Sequence, residues 1–383
     1  SLQRNPVFDP YRTSGLPDQG FVRCDSVRTA SGYVIADRFC ADLPDSGFFF
    51  PGDVLHYYFQ AEEGLFGDVV SATLPADLTG FGEFGDPFAY DPEFVVRALP
   101  TLFSATPGAQ PPILFWYDED GWDGLDVWLH AFRNLGLLRG GDWDLYCTRA
   151  AALGVGNGLG GRAQPAHLDG YWTILYSSGN ARDLTLGVGD PERDLSDDVG
   201  LLSAWSELET TPYRSLLLTG DNLVSDLMRS TSGVDFVNLV PGVTHLAADV
   251  APLIAGQTAP VVAPLLGNPV FYGIEENPLS YGTCPSRTFD AVTAASGTVP
   301  LAEFLGPDGA AGQFPYAAAA LHEYTGTGGG ASIRVISLPF GLSSIQSSAK
   351  ALSVRTEMLY EVLQYFNHPD NPGNVQGVPD LQM

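Results

Sequence analysis

Four carboxylates crowd one short stretch of this chain: Asp118, Glu119, Asp120 and Asp123, in the run PILFWYDEDGWD from Pro112 to Asp123. Hard oxygen ligands at such spacing suit calcium, although the stretch lacks the Asp-x-Asp-x-Asp-Gly pattern and distal Glu of an EF-hand loop. The competing reading is a set of solvated carboxylates with one helix cap among them. Five apolar or aromatic residues precede the acids and read as a buried parallel strand. The loop at the carboxyl end of such a strand is where α/β sheets place ligands and catalytic groups. This loop offers no clear nucleophile or base.

Further chemistry is spread along the chain. Ser177 and Ser178, in YSSGN, follow another strand-like run and are nucleophiles in principle, but the GxSxG elbow is absent. Asp221, in TGDN, stands after a fourth run, where it reads either as a catalytic acid or as the cap of a short helix. Ser178, His245 and an Asp make a conceivable triad, as any chain of this size offers. The six histidines form no HExxH and no close pair, which leaves zinc hydrolysis without support. The loop VGNGLGGR, Val155 to Arg162, matches neither GxGxxG nor GxxxxGK[ST] and reads as a tight turn. The six tryptophans fall mostly on strands or helix faces, as core packing requires.

Composition narrows the partners. The chain has 383 residues, 45% of them hydrophobic, and a net charge of −27. Its 18 basic residues are 17 arginines and the single Lys350. Such a surface repels nucleic acid and anionic lipid and suits a salty or divalent-rich exterior. No apolar run is long enough to span a membrane as a helix. The four cysteines, Cys24, Cys40, Cys147 and Cys284, form no CxxC pair; their even number fits two disulfides, Cys24–Cys40 and Cys147–Cys284. An extracellular or cell-surface location follows as an expectation. A start at Ser1 fits a processed product or a portion of a longer protein.

The elements that must position these groups read as follows. Residues 1–22 are an extended arm. Residues 23–100 are β structure, with strands at Val34–Phe39 and Val54–Gln60 and partners for them at Val69–Thr73 and Phe94–Leu99. Residues 101–111 are a Pro-rich linker. From 112 to 367 the chain alternates strand and helix: strands at Pro112–Asp118, Trp143–Cys147, Tyr171–Ser177 and Arg214–Thr219, with helices at Trp122–Leu138, Ser196–Leu208 and Asn222–Met228. Asp120 or Asp123 caps the first helix and Gly140–Gly141 ends it. Later come strands at Pro269–Ile274, Tyr316–His322 and Ser332–Leu338, and a closing helix at Val354–Phe366. Residues 368–383 are a linker. The βαβ order predicts an α/β parallel sheet with helices on both faces.

Two resemblances add to this. PGDVLHYYFQAEEG, Pro51 to Gly64, resembles the GD-x-x-x-Y-x-x-x-A strand of immunoglobulin-like or fibronectin-III-like modules, which implies an N-terminal partial β-sandwich with open edges. The ordered set ILFWYDEDG, DLYCTRAAALGVGNGLGGRA, YWTILYSSGN, LLSAWSEL, RSLLLTGDNLVSDL, RVISLPFGLSSI and RTEMLYEVLQYF resembles secreted bacterial surface proteins that carry a module like class I glutamine amidotransferases or the ThuA-like family. This covers roughly residues 110–367 and implies a flavodoxin-like or amidotransferase-like sheet. The chain departs from that pattern where the chemistry lies. The turn after the fourth strand reads Thr219-Gly220-Asp221-Asn222 with no Cys, and the end reads Ser337-Leu338-Pro339-Phe340 with no His. No catalytic residue carries over. The tail GNVQGVPDLQM resembles the linker before a C-terminal immunoglobulin-like sorting domain.

Three functions are therefore in play. The first is a non-catalytic extracellular structural or assembly module, which self-associates or binds other surface proteins; its arm residues Leu2, Val7, Phe8 and Tyr11 add a strand to a neighbour's open edge. The second is a secreted hydrolase or carbohydrate-active enzyme working at the strand ends with Asp118, Glu119, Asp120, Ser178 and Asp221. The third is a calcium-dependent binding domain built on the acidic loop; apart from that calcium, no cofactor is expected.

Overall fold

A computed structural model describes residues 1–5, 18–29, 31–43, 48–65, 68–85, 89–102, 110–119, 123–148, 158–190, 196–254, 260–271, 274, 277–278, 288–305, 316–326, 331–345 and 354–366. Contacts divide the chain into two units, Ser1–Pro111 and Pro112–Met383.

The first unit holds seven strands among its described residues: β1 (Leu2–Gln3), β2 (Asp25–Arg28), β3 (Val34–Cys40), β4 (Val54–His56), β5 (Phe59–Leu65), β6 (Asp68–Leu74) and β7 (Val95–Arg97). The expected pairings are present only in part: the run Val54–Gln60 is split, β4 pairing with β7 and β5 with β6, while β3 pairs with β2 instead. The strands make three separate antiparallel sheets: β1-β4-β7, the ribbon β2–β3 and the ribbon β5–β6. A partial sandwich needs two facing sheets that share a core. Here the buried apolar cluster of Val54, Tyr90 and Val95 joins β4 and β7 to the segment between β6 and β7, not to a second sheet, and the ribbons' described side chains are largely exposed.

Leu2 is buried in its own chain's sheet, opposite Leu55. Asp53 fixes the arm there, its Oδ1 accepting from the Asn5 amide at 2.7 Å and its Oδ2 from the Phe50 amide at 2.9 Å. Leu2 thus adds its strand in cis rather than to a neighbour. Val7, Phe8 and Tyr11 lie outside the described residues.

The second unit contains β8 (Ile113–Tyr117), α1 (Asp123–Asn134), β9 (Trp143–Cys147), β10 (Thr173–Ser177), α2 (Asp198–Ser206), β11 (Tyr213–Thr219), α3 (Leu223–Leu227), α4 (Thr231–Leu239), β12 (Val243–Ala247), β13 (Val261–Pro264), β14 (Asn277–Pro278), β15 (Ala291–Ala294), β16 (Thr298–Phe304), β17 (Ala317–Thr325), β18 (Ser332–Leu338) and α5 (Val354–Phe366). These make a mixed α/β unit around an 11-stranded sheet. Strands β9-β8-β10-β11-β18 run parallel. The sheet then continues antiparallel through β17, β16, β13 and β14, with β12 and β15 attached at β17. The expected all-parallel sheet is therefore half of a mixed one. Its antiparallel half is harder to read from periodicity: β16 carries Pro300, and two register shifts follow that proline. Of the expected strand Pro269–Ile274, the described residues 269–271 and 274 form no strand: Asn268 Oδ1 accepts from the Val270 and Phe271 amides and holds a turn there.

Both faces of the parallel core are covered. Ile113, Phe115, Tyr117, Leu175, Leu217 and Ile336 pack with α1 and α5 in one cluster. The alternate residues Leu114, Trp116, Ile174, Tyr176, Leu216 and Val335 are buried as well. Helix α1 presents Leu125, Trp128, Phe132 and Leu135 to the core. It ends earlier than expected, at Gly136 rather than Gly140. Gly136 has φ +72°, and its amide donates to the Arg133 carbonyl at 3.0 Å while Leu137 N donates to Phe132 O at 3.0 Å. That is the Schellman closure, and glycine adopts the left-handed conformation it needs without strain.

Candidate site at the carboxyl edge of the sheet

Strand β8 continues through α1 to β9 on one side, whereas β10 pairs on its other side. The order of the sheet reverses between β8 and β10, and open α/β sheets bind ligands outside that point. Asp118 and Glu119 leave β8 there, and Ser177 ends β10.

The position is filled by the chain itself. Glu119 is 3% exposed. Its Oε1 accepts from Ser177 Oγ at 2.7 Å and from Trp128 Nε1 at 3.2 Å, and Ser343 Oγ stands 3.5 Å from Oε2. Ser177 Oγ also accepts from Thr219 Oγ1 at 3.0 Å, so the hydroxyl is held from two sides. Glycines allow this closeness: a Cβ on Gly124 would lie 1.6 Å from Glu119 Oε2, and one on Gly179 2.4 Å from Glu119 Cδ. Asp118 Oδ2 accepts from Tyr176 OH at 2.7 Å.

Asp221, fully buried, does not cap α3. Its Oδ1 accepts from the Gly341 amide at 2.7 Å and from Ser344 Oγ at 3.1 Å, joining the turn after β11 to the segment after β18. The cap comes from Asp290, whose Oδ2 accepts from the Val224 and Ser225 amides at 2.8 and 3.1 Å. No sequence signal marks Asp290, because its partners lie 65 and 66 residues away.

The proposed triad is not assembled. Ser178 Oγ donates to the Thr219 carbonyl at 3.4 Å. His245 Nε2 instead meets Ser225 Oγ at 2.9 Å, and Ser225 Oγ also donates to Asp290 Oδ1. In a catalytic triad the histidine stands between serine and carboxylate. Here the serine does, so Asp290 holds the hydroxyl rather than the imidazole. Burial pushes the Asp290 carboxyl up to about 7 against the pull of its donors, with Asp226 adding a smaller push. Burial lowers His245 from its ordinary value, opposed by the hydrogen bond its ring donates to the Ala247 backbone.

Asp120 lies outside the described residues, as does the side chain of Asp123. Among the described residues no group of three His, Cys, Asp or Glu side chains is placed to hold a metal ion. In the glycine-rich loop the described part turns toward its own chain: the Gly160 amide donates to Asp198 Oδ1 at 2.7 Å. A cavity of about 20 Å³ lies between α3, α4 and the strands, with apolar lining from Leu218, Leu223, Val237, Val243 and Leu338. It has room for roughly one water and little to bond it.

Cys24, Cys40 and Cys147 are free thiols, and Cys284 is outside the described residues. The expected Cys24–Cys40 bond is not made. Cys40 is the register partner of Asp25, and Cys24 lies one residue beyond the paired segment.

The chain matches no family model and no curated protein. Among solved structures it is similar to a cytoplasmic protein from Salmonella typhimurium, at 12% identity and a TM-score of 0.41, over 66% of this chain and 98% of that one.

Proposed function

We propose that this chain is a non-catalytic extracellular structural or assembly module, whose larger unit keeps a flavodoxin-like or amidotransferase-like frame without the chemistry. The observation that carries the reading is the filled reversal point: Glu119 lies where such a sheet would receive a ligand, buried and hydrogen-bonded to Ser177 and Trp128. The parallel core supports the finer fold. Numbered in chain order, its five strands stand 2-1-3-4-5 across the sheet, the flavodoxin-like order. The arrangement of Ser225, His245 and Asp290 favours a cap over a nucleophile.

A strongly acidic, lysine-poor surface supports an exterior location. No helix among the described residues is long and apolar enough to cross a membrane. Two ribbons that cover little of their own apolar surface support association with other protein surfaces. The test has two arms. The purified chain and its Ser177→Ala/Ser178→Ala variant are compared on ester, amide and glycoside substrates, and turnover by the parent that the variant loses overturns the reading. Sedimentation across a range of concentrations then asks whether the chain associates.

A further inference from the structure

Ser225 has one hydroxyl hydrogen and two neighbours that can take it. His245 Nε2 lies 2.9 Å from Ser225 Oγ on one side, and Asp290 Oδ1 bonds the same oxygen on the other. A hydroxyl that bonds two groups donates to one and accepts from the other.

The outer ends of this chain of bonds set its direction. The second imidazole nitrogen, Nδ1, donates to the Ala247 backbone. A neutral ring with its hydrogen there has a bare Nε2, which can only accept. Asp290 Oδ2 already accepts from the Val224 and Ser225 amides at 2.8 and 3.1 Å, so a proton on this carboxyl sits on Oδ1, toward Ser225. While Asp290 is protonated, every hydrogen is used once: Asp290 donates to Ser225, Ser225 to His245 and His245 to Ala247. When Asp290 is ionised, Ser225 donates to the carboxylate instead, and its oxygen then turns a lone pair on the bare Nε2. Two buried acceptors left facing each other are costly.

The surroundings place this change near neutral pH. Asp290 is fully buried, and burial pushes its carboxyl up to about 7. Asp226 on α3 adds to that push, with its own Oδ1 3.4 Å from Arg229. Asp221 offers Asp290 its backbone carbonyl, 2.9 Å from the Asp290 amide, and turns its carboxylate to Gly341 and Ser344. Asp249, beyond β12, accepts from the Ala251 amide, and Asp235 of α4 is exposed.

We infer that Asp290, Ser225 and His245 form a proton-operated latch: loss of the Asp290 proton reverses the Ser225 bond, shifts the imidazole hydrogen from Nδ1 to Nε2 and frees the ring from Ala247 at the end of β12. One proton leaves to solvent, and the imidazole hydrogen moves by exchange with water. The ladder between β12 and β15 is itself irregular between His245 and Ala247, so the ring ties the strand where its register shifts. The latch is closed on the acid side of the transition and open on the alkaline side. It is independent of the assembly reading.

Imidazole 15N NMR of the full-length protein reads the tautomer directly. In the parent, neutral His245 should carry its hydrogen on Nδ1 just below about pH 7 and on Nε2 above it, at the same midpoint as the Asp290 carboxyl 13C signal. Ser225→Ala removes the link, so Asp290 still ionises while the ring keeps its hydrogen on Nδ1. Asp290→Asn presents an N–H to Ser225 where the acid presented an O–H, and should hold the Nδ1–H form throughout. Hydrogen exchange at the Ala247 end of β12, corrected for its intrinsic pH dependence, should rise about fivefold or more above the transition in the parent and not in Asp290→Asn. A tautomer that does not change as Asp290 ionises, or that changes equally in Ser225→Ala, overturns the latch. Unchanged exchange in the parent overturns the release of β12.

Discussion

Ser177 Oγ donates to Glu119 Oε1 at 2.7 Å across the two strands between which the order of the sheet reverses. A ligand bound there would have to displace this bond and the one from Trp128. It would also need space that Gly124 and Gly179 now yield to the glutamate. The carboxylate therefore closes the strand ends, and the segment after β18 closes over it: Ser343 stands beside Glu119, and Asp221 binds Gly341 and Ser344.

Gly179 and Glu119 should be energetically coupled. Gly179 has φ +52°, and a Cβ there would overlap the Glu119 carboxyl. Gly179→Ala is expected to destabilise by about 1–3 kcal/mol through overpacking and left-handed strain. Glu119→Ala costs about 1–3 kcal/mol by leaving buried donors unmet. In the double variant the overlap is gone, so the two costs sum to more than the measured total by about 0.5–3 kcal/mol. Urea unfolding of the four proteins gives the cycle, and strict additivity would refute the cradle.

Asp290 should make stability fall as pH rises through the weakly acidic range. Its folded value is raised from 3.8 to about 7, chiefly by burial. Between about pH 4 and 7 the native state holds a proton that the unfolded chain has released, so the linkage slope is negative there. Asp226 faces the same carboxyl and enlarges the shift. His245, lowered by burial, acts in the opposite sense, its contribution being lost as pH falls below its ordinary value of 6.5. Asp290→Asn keeps a carbonyl acceptor for the α3 amides and should flatten the Asp290 part of the slope. Denaturation midpoints at fixed pH values decide it; an unchanged slope removes Asp290 as the source.

The thiols should differ in reactivity without any reductant. Cys40 is exposed and Cys24 half-buried, both free. Burial pushes the Cys147 thiol up to about 11, with Arg139 pulling the other way, so little thiolate is present at neutral pH. Under native conditions Cys40 should label rapidly with a maleimide and Cys147 slowly, each located by peptide mass. A Cys24–Cys40 disulfide in the isolated protein would contradict the register of β2–β3.

The parts of this fold that were legible are those where one chain segment carries its own signal. β8 is buried on both faces, so ILFWY needs no partner to declare itself, and α1 and α5 show their apolar faces at helical spacing. The site was legible only in its location. Asp221 sits where a cap or a catalyst would, but the α3 amides bind Asp290, and Asp221 turns to residues 120 and 123 positions later. Which acid takes which donor depends on packing between segments far apart in sequence, and local propensity does not encode it. The ribbons misled for a related reason. Their alternation announces strands but not whether two ribbons will face each other.

His56 should report the integrity of the first unit. Its ring is 4% exposed, stands 4.3 Å from Phe84 and 5.0 Å from Tyr90 between ring centres, and accepts from the Gly82 amide through Nδ1 at 3.2 Å. Burial, then Arg97, then the amino terminus lower it from 6.5 to about 4. The folded unit thus holds the neutral ring, and its stability is complete above pH 6.5 and drains as pH falls toward about 4. All six tryptophans lie in the second unit, so their fluorescence should stay native while the first unit opens. Acid titration followed together by tryptophan emission and by limited proteolysis should show cleavage between residues 18 and 102 before any change in emission. His56→Gln, which keeps an uncharged acceptor for Gly82, should move that cleavage to lower pH. A histidine ring signal from His56 titrating near 6.5 in NMR would show that the ring is not held as described.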